Sequence, residues 1–126
     1  MDKAILIIED NTDNQYLMQY LLEKHGYRVV WAKDGKTGID YANQNRPLAI
    51  LLDIQLPEMN GYEVAEVLTR NDRLQGVPII AVTSYAMVGD REKALASGAT
   101  AYMEKPINPA TFVSEIAAYI NDSKPE

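Results

Sequence analysis

The sequence predicts a doubly wound α/β domain built on a five-stranded parallel sheet, on three observations. Short aliphatic runs alternate along the chain with amphipathic helical stretches, making five βα units in a row. Three of the runs, Ile5–Ile8, Leu48–Leu52 and Ile79–Val82, are aliphatic throughout rather than alternating, the pattern of strands buried on both faces. The length of 126 residues, with 47% hydrophobic and 24% charged side chains, suits one domain with a real core.

Ile5–Ile8 is the first strand. Thr12-Asp13-Asn14-Gln15 then has capping-box spacing for a helix start, Leu17 and Leu21 follow at i and i+4, and Gly26 supplies the stop. Arg28–Trp31 is the second strand. The second helix, roughly Lys36–Asn43, is the weakest because Gly38 lowers helix propensity. Arg46-Pro47 ends it, since the residue before proline avoids helical geometry. After the third strand, Leu48–Leu52, Asn60-Gly61 introduces a helix whose Val64, Val67 and Leu68 share a face. The fourth strand, Ile79–Val82, leads to a helix carrying Ala94 and Leu95 that Gly98 closes. Ala101–Met103 is the last strand. Asn108-Pro109 reads as an N-cap with proline in the first turn, ahead of Phe112, Ile116 and Ile120. One domain over residues 1–120 and a short polar tail, Asn121–Glu126, account for the chain.

Charge and composition narrow the chemistry. Twelve basic against eighteen acidic residues leave a net charge of −6, which repels nucleic acid and anionic lipid. The lack of cysteine removes disulfides, thiolate metal sites and thiol nucleophiles together. Apolar runs reach about five residues, far short of the ~20 that span a bilayer, and Met1-Asp2-Lys3 is too short and acidic to open a signal peptide. A cytoplasmic protein that engages neither nucleic acid nor membrane is expected.

In open α/β sheets, sites form at the carboxyl ends of the strands. Here Glu9-Asp10 follow strand one, Asp53 ends strand three, Thr83-Ser84 end strand four and Glu104-Lys105-Pro106 follow strand five. A flavodoxin-like strand order of 2-1-3-4-5 would make those strands neighbours and gather the groups in one crevice. Three carboxylates within ~5 Å repel by about 3 kcal/mol per pair at an effective dielectric of 20, so the cluster needs a cation or a retained proton. Hard oxygen ligands without His or Cys favour Mg2+. Lys105 adds a positive charge and Thr83 a hydroxyl, and together with a metal they make a receptor for phosphoryl oxygens. Asp53 is the candidate nucleophile, because carboxylates form acyl phosphates. Taken singly, each residue has a plainer explanation: a solvated acidic turn, a turn-capping Asp or Thr, a surface lysine. Their joint placement at the ends of one βα series carries the functional reading.

At these residues the sequence resembles the receiver domain of bacterial two-component response regulators, from Lys3 to about Ile120. The matching stretches are Ile7-Ile8-Glu9-Asp10-Asn11, Asp53-Ile54-Gln55-Leu56-Pro57-Glu58-Met59-Asn60-Gly61, Val82-Thr83 and Tyr102-Met103-Glu104-Lys105-Pro106. The run Ser84–Asp90 is similar to stand-alone receivers of the DivK type and to the receivers of hybrid kinases. The resemblance implies a (βα)5 receiver fold with Asp53 as phosphoacceptor and Asp10 as a direct Mg2+ ligand. It implies that Glu9 acts through a metal-bound water and that the Gln55 backbone carbonyl completes the protein's metal ligands. Thr83 and Lys105 would assist phosphorylation, Thr83 and Tyr102 would be the switch residues, and the Lys105-Pro106 bond would be cis, as X–Pro bonds can be. A histidine kinase or histidine phosphotransfer protein is the implied donor, and a face over roughly Gly89–Ile120 the implied dock for a downstream protein. Such a chain catalyses its own phosphorylation and slow dephosphorylation without being a turnover enzyme.

The departures are modest. Ser84 stands where small residues are common, so two adjacent hydroxyls compete for the switch role, and Thr83 is favoured because it directly ends the strand. Gln55 and Tyr85 hold positions that in this family tune hydrolysis of the acyl phosphate. His25 suits a helix end, where a cation meets the dipole, better than a phosphorylated histidine. Trp31 and most of the eight tyrosines read as packing, Tyr102 excepted. Four other readings compete. A phosphate-independent receiver-like adaptor is disfavoured by the full set of site residues. A receiver fragment of a hybrid histidine kinase is set against Met1 and the short tail, which favour a stand-alone chain. A phosphatase using an aspartyl phosphate would place a second Asp where Gln55 stands. A flavin is disfavoured by the acidic loop after strand one, which would repel its phosphate.

Overall fold

The computed structural model describes residues 4–56, 59–84 and 88–123, so Pro57, Glu58 and Tyr85–Met87 of the motif stretches lie outside the described residues. Five strands, β1 (Ala4–Ile8), β2 (Arg28–Ala32), β3 (Ala49–Asp53), β4 (Ile79–Thr83) and β5 (Ala101–Glu104), alternate with five helices. The helices are α1 (Thr12–Lys24), α2 (Gly35–Gln44), α3 (Gly61–Thr69), α4 (Asp90–Ala96) and α5 (Phe112–Ser123). All strand pairs are parallel and the order is β2-β1-β3-β4-β5, as predicted. The three wholly aliphatic runs are the central strands β1, β3 and β4, buried at every residue, while β2 and β5 are the part-exposed edges.

Strand side chains alternate between faces, and two cores follow from that. Leu6, Ile8, Ile50, Leu52, Ile79 and Ala81 pack with Ala42 of α2, Val64 and Leu68 of α3 and Ala94 of α4. Ile5, Ile7, Leu51, Ile80 and Val82 pack with Met18 and Leu22 of α1 and Phe112, Ile116 and Ile120 of α5. Each fully buried aliphatic side chain stabilises the fold by about 1.5–3 kcal/mol relative to exposure. Among the described residues no helix is long and apolar enough to cross a membrane.

The helix ends depart from the sequence reading in informative ways. The cap of α1 is Asn11, whose side chain accepts the Asn14 N–H at 2.9 Å, one residue before the expected Thr12. The buried residues of α1 are Gln15, Met18 and Leu22; Leu21 packs part-buried against the same core, and Leu17 is 38% exposed. Leu17 with Leu21 and Met18 with Leu22 share the i, i+4 spacing, so periodicity alone does not choose between them. Asp34 caps α2 and Asn60 forms a capping box with Glu63 at α3. Leu95 of α4 is exposed, and Ala94 alone of the expected pair enters the core. Asn108 caps a turn, its side chain accepting the Ala110 N–H, and α5 proper begins only at Phe112. That helix continues through Ser123, so Asn121 to Ser123 form its last turn where a tail was expected.

Candidate functional site

Four strand ends meet at one edge of the sheet because β1, β3, β4 and β5 are consecutive neighbours. Glu9 follows β1, Asp53 is the last residue of β3, Thr83 the last of β4, and Lys105 follows β5. Glu9, Asp53 and Thr83 are only 1%, 4% and 2% exposed, although all three side chains are polar. Buried polar groups need partners, and Glu9 and Asp53 share Lys105 while each also accepts an N–H from its own loop. Lys105 Nζ lies 2.5 Å from Glu9 Oε1 and 3.6 Å from Asp53 Oδ2, with its side chain 7% exposed. Glu9 Oε2 accepts the Asn11 N–H at 3.2 Å, and Asp53 Oδ1 accepts the Gln55 N–H at 2.9 Å.

Carboxylate oxygens of Glu9, Asp10 and Asp53 all lie within 4.8 Å of one another. Burial, and then the neighbouring Asp53 carboxyl, push the Glu9 carboxyl well above the usual carboxylate range, against the pull of Lys105. By count, three carboxyl groups face one lysine here. Three hard oxygen donors with a surplus of negative charge are the donor set that a small divalent cation such as Mg2+ prefers. Asp10 is exposed, which leaves the cluster an open side toward solvent.

The remaining sequence-predicted residues surround this cluster. The Lys105 N–H donates to the Thr83 carbonyl at 2.7 Å, which ties the two strand ends together, and the Lys105–Pro106 peptide is cis. Of the two adjacent hydroxyl residues, Thr83 is buried and Ser84 exposed. The Ser84 N–H donates to Gln55 Oε1 at 3.3 Å, so the Gln55 side chain spans the two loops that flank Asp53. Tyr102 packs part-buried against the α2–α4 core, and its hydroxyl is buried without a hydrogen-bond partner among the described residues. Burial raises its pKa, with Asp90 and Glu104 adding to the effect. Tyr85 lies outside the described residues. His25 caps α1 at its C-terminus and its ring Nδ1 lies 3.0 Å from the Leu21 carbonyl oxygen, far from this cluster in the chain.

Two contributors were missed from the sequence. Asn11 both caps α1 and donates its N–H to Glu9, and the polar residue just before the helix was the available signal. Trp31, read as packing, donates its indole N–H to the Glu9 carbonyl at 2.7 Å. A part-buried indole usually finds an acceptor, but nothing local points to a carbonyl on another strand.

A parallel five-stranded sheet with acids at its central strand ends and a lysine across from them defines the receiver class of fold. Residues 5–117 match the family model described as the response regulator receiver domain, and the chain belongs to that family, the receivers of two-component signalling. The polar-differentiation response regulator DivK of Brucella anthropi is 42% identical over 123 residues, 98% of this chain and 100% of that protein. DivK of Brucella ovis is 40% identical over the same span. Among solved structures, the receiver domain of sensor histidine kinase PA1611 from Pseudomonas aeruginosa PAO1, with a magnesium ion coordinated in its active site cleft, is 35% identical. It superposes with a TM-score of 0.87 over 96% of this chain and 99% of that one. A CheY-like receiver domain protein from Methanospirillum hungatei JF-1 is 31% identical, with a TM-score of 0.86 over 98% of this chain and 97% of that one.

Proposed function

We propose that Asp53 is the phosphoacceptor of a phosphorelay and that Glu9, Asp10, Asp53 and the Gln55 backbone carbonyl hold Mg2+ beside it. The observation that carries this reading is the single crevice in which three carboxylates within 4.8 Å face a buried lysine 3.6 Å from Asp53. Bound there, Mg2+ supplies positive charge for the oxygens of the phosphoryl group being transferred. An Asp53 carboxylate oxygen attacks the phosphorus of a phosphohistidine, the P–N bond breaks, the imidazole leaves with the electron pair, and an acyl phosphate forms. Lys105 is placed to compensate the added charge, and Thr83 to offer a hydroxyl at the same strand edge. The chain promotes its own phosphorylation and slow dephosphorylation and is not a turnover enzyme.

The donor is a histidine kinase or histidine phosphotransfer protein. Its approach is supported by a small pocket lined by Asn14, Leu17 and Met18 of α1 and by Lys105, Pro106 and Ile107, which shares Lys105 with the acidic crevice. Beside it α1 exposes Tyr16 and Tyr20. The signal passes to a protein that docks over roughly Gly89–Ile120, with Thr83 and Tyr102 as the switch residues. Moving a two-state equilibrium from 1:99 to 99:1 takes about 5.5 kcal/mol, within reach of a few charge-assisted hydrogen bonds to a new dianion. The net charge of −6 disfavours nucleic acid and anionic lipid as partners.

The test is labelling with a small phosphodonor such as acetyl phosphate in Mg2+, read by intact-mass spectrometry. Wild type gains one phosphoryl group and Asp53→Asn gains none. Uptake by Asp53→Asn at the wild-type rate sinks the assignment.

A further inference from the structure

Trp31 is the only tryptophan in the chain, and it sits on edge strand β2 rather than at the strand ends that carry the acids. We infer that it is a positioning residue for Glu9 and Asp10, its indole N–H setting the aim of both carboxylates toward the cation position. This rests on the reading of Glu9, Asp10 and Asp53 as a Mg2+ site.

The geometry of one peptide carries the argument. The Glu9 carbonyl belongs to the planar peptide that joins Glu9 to Asp10, so fixing its oxygen orients the link between the two acids. That oxygen accepts the Trp31 Nε1–H at 2.7 Å. On the other side of the same residue, the Glu9 N–H donates to the Ala32 carbonyl at 3.0 Å. Glu9 is therefore pinned through both of its backbone polar groups to consecutive residues of β2. The register of β1 with β2 ends at Ile8↔Ala32, and the indole donates where strand pairing stops. Without that bond, the chain between β1 and the Asn11 cap keeps only the Glu9 N–H bond to Ala32 and the contacts of the Glu9 carboxylate itself to hold the two acids.

The ring is itself held. Trp31 is part-buried against the core beneath α1 and α5, and Lys33 Nζ lies 5.5 Å from its ring centroid, a cation–π contact. Phenylalanine would fill most of the same space but cannot donate a hydrogen bond. Groups that orient metal ligands without touching the metal typically matter by 10–100-fold in affinity.

The experiment uses the full chain without phosphodonor. Calorimetric Mg2+ titration of wild type and Trp31→Phe is expected to show binding in both, weakened about tenfold in the variant. In wild type, the single indole N–H resonance is expected to exchange slowly with water and to shift during the titration, with the calorimetric midpoint. With acetyl phosphate, Trp31→Phe should need more Mg2+ for half-maximal phosphorylation yet reach the wild-type rate at saturation, a split that a loosened fold would not produce. Equal Mg2+ affinity in the two proteins overturns the positioning role, as does an indole resonance that ignores Mg2+. The indole measurement decides the matter alone if the variant does not fold. Wild type that takes up no Mg2+ removes the metal reading itself, and this inference with it.

Discussion

Asp34 shows what one side chain contributes at a helix start. Its carboxylate accepts the Thr37 N–H at 2.8 Å, and the bonds from Thr37 hold its pKa below the ordinary 3.8. A carboxyl whose folded pKa is depressed stabilises the native state above its unfolded value, and that contribution fades as pH falls through the folded one. Asp34→Ala should therefore cost about 1 kcal/mol in urea unfolding at neutral pH. The gap between the two proteins should close as the pH drops below 3.8. Tyr102 presents the opposite case, a hydroxyl that is buried but unpartnered among the described residues. Removing such a group forfeits no bond and relieves a desolvation cost, so Tyr102→Phe should leave stability unchanged or raise it by up to about 1 kcal/mol. A clear loss of stability in chemical denaturation would show that the hydroxyl has a partner after all.

Among the elements, α2 was the weakest helix on paper because of Gly38, yet the structure shows why that glycine is there. A Cβ at residue 38 would come within 2.4 Å of Ile8 Cδ1 and 2.6 Å of Cγ1. Ile8 is wholly buried at the end of β1, one residue before Glu9, so it has little room to yield. The low helix propensity is the local cost of a close helix–strand approach. Gly38→Ala gains up to about 1 kcal/mol in propensity but should lose about 1–3 kcal/mol to overpacking. A net fall in thermal stability is expected, and a rise would mean that Ile8 repacks freely. The α1 helix teaches a related lesson. Spacing alone leaves its facing open by one residue: Gln15 is buried and Leu17 exposed, while Leu21 packs part-buried against the core. Gln15 bonds along the helix to Gln19, which bonds on to Glu23 at 3.1 Å, so a polar ladder meets the core edge where an apolar stripe was expected.

For the molecule as a whole, part of the acidic surplus is gathered in the crevice, where Glu9, Asp10 and Asp53 lie together. A cation that binds only the native state stabilises it, by about 2.7 kcal/mol at a hundredfold excess over Kd. Mg2+ should raise the melting temperature of wild type relative to chelator. The exposed Asp10, replaced in Asp10→Ala, should abolish most of that rise while leaving the chelator value close to wild type. Equal Mg2+ responses in the two proteins would count against Asp10 as a ligand.

Element order, the three buried central strands and the polar residues at strand ends were all legible in the chain, because each depends on side-chain periodicity and on neighbours a few residues away. Glu9, Asp10, Asp53, Thr83 and Lys105 could be named as a set from their places after successive strands. Their geometry could not. Lys105 reaches Glu9 across 96 residues of chain, and that contact exists only because strand order and register bring β5 and β1 to the same edge of the sheet. The facing of α1, the need for glycine at residue 38 and the bond from Trp31 to Glu9 belong to the same category. Each is settled by which surface the sheet presents at a given height, a quantity that local sequence does not encode. Periodicity determines what each segment becomes; packing between segments determines which of its atoms meet.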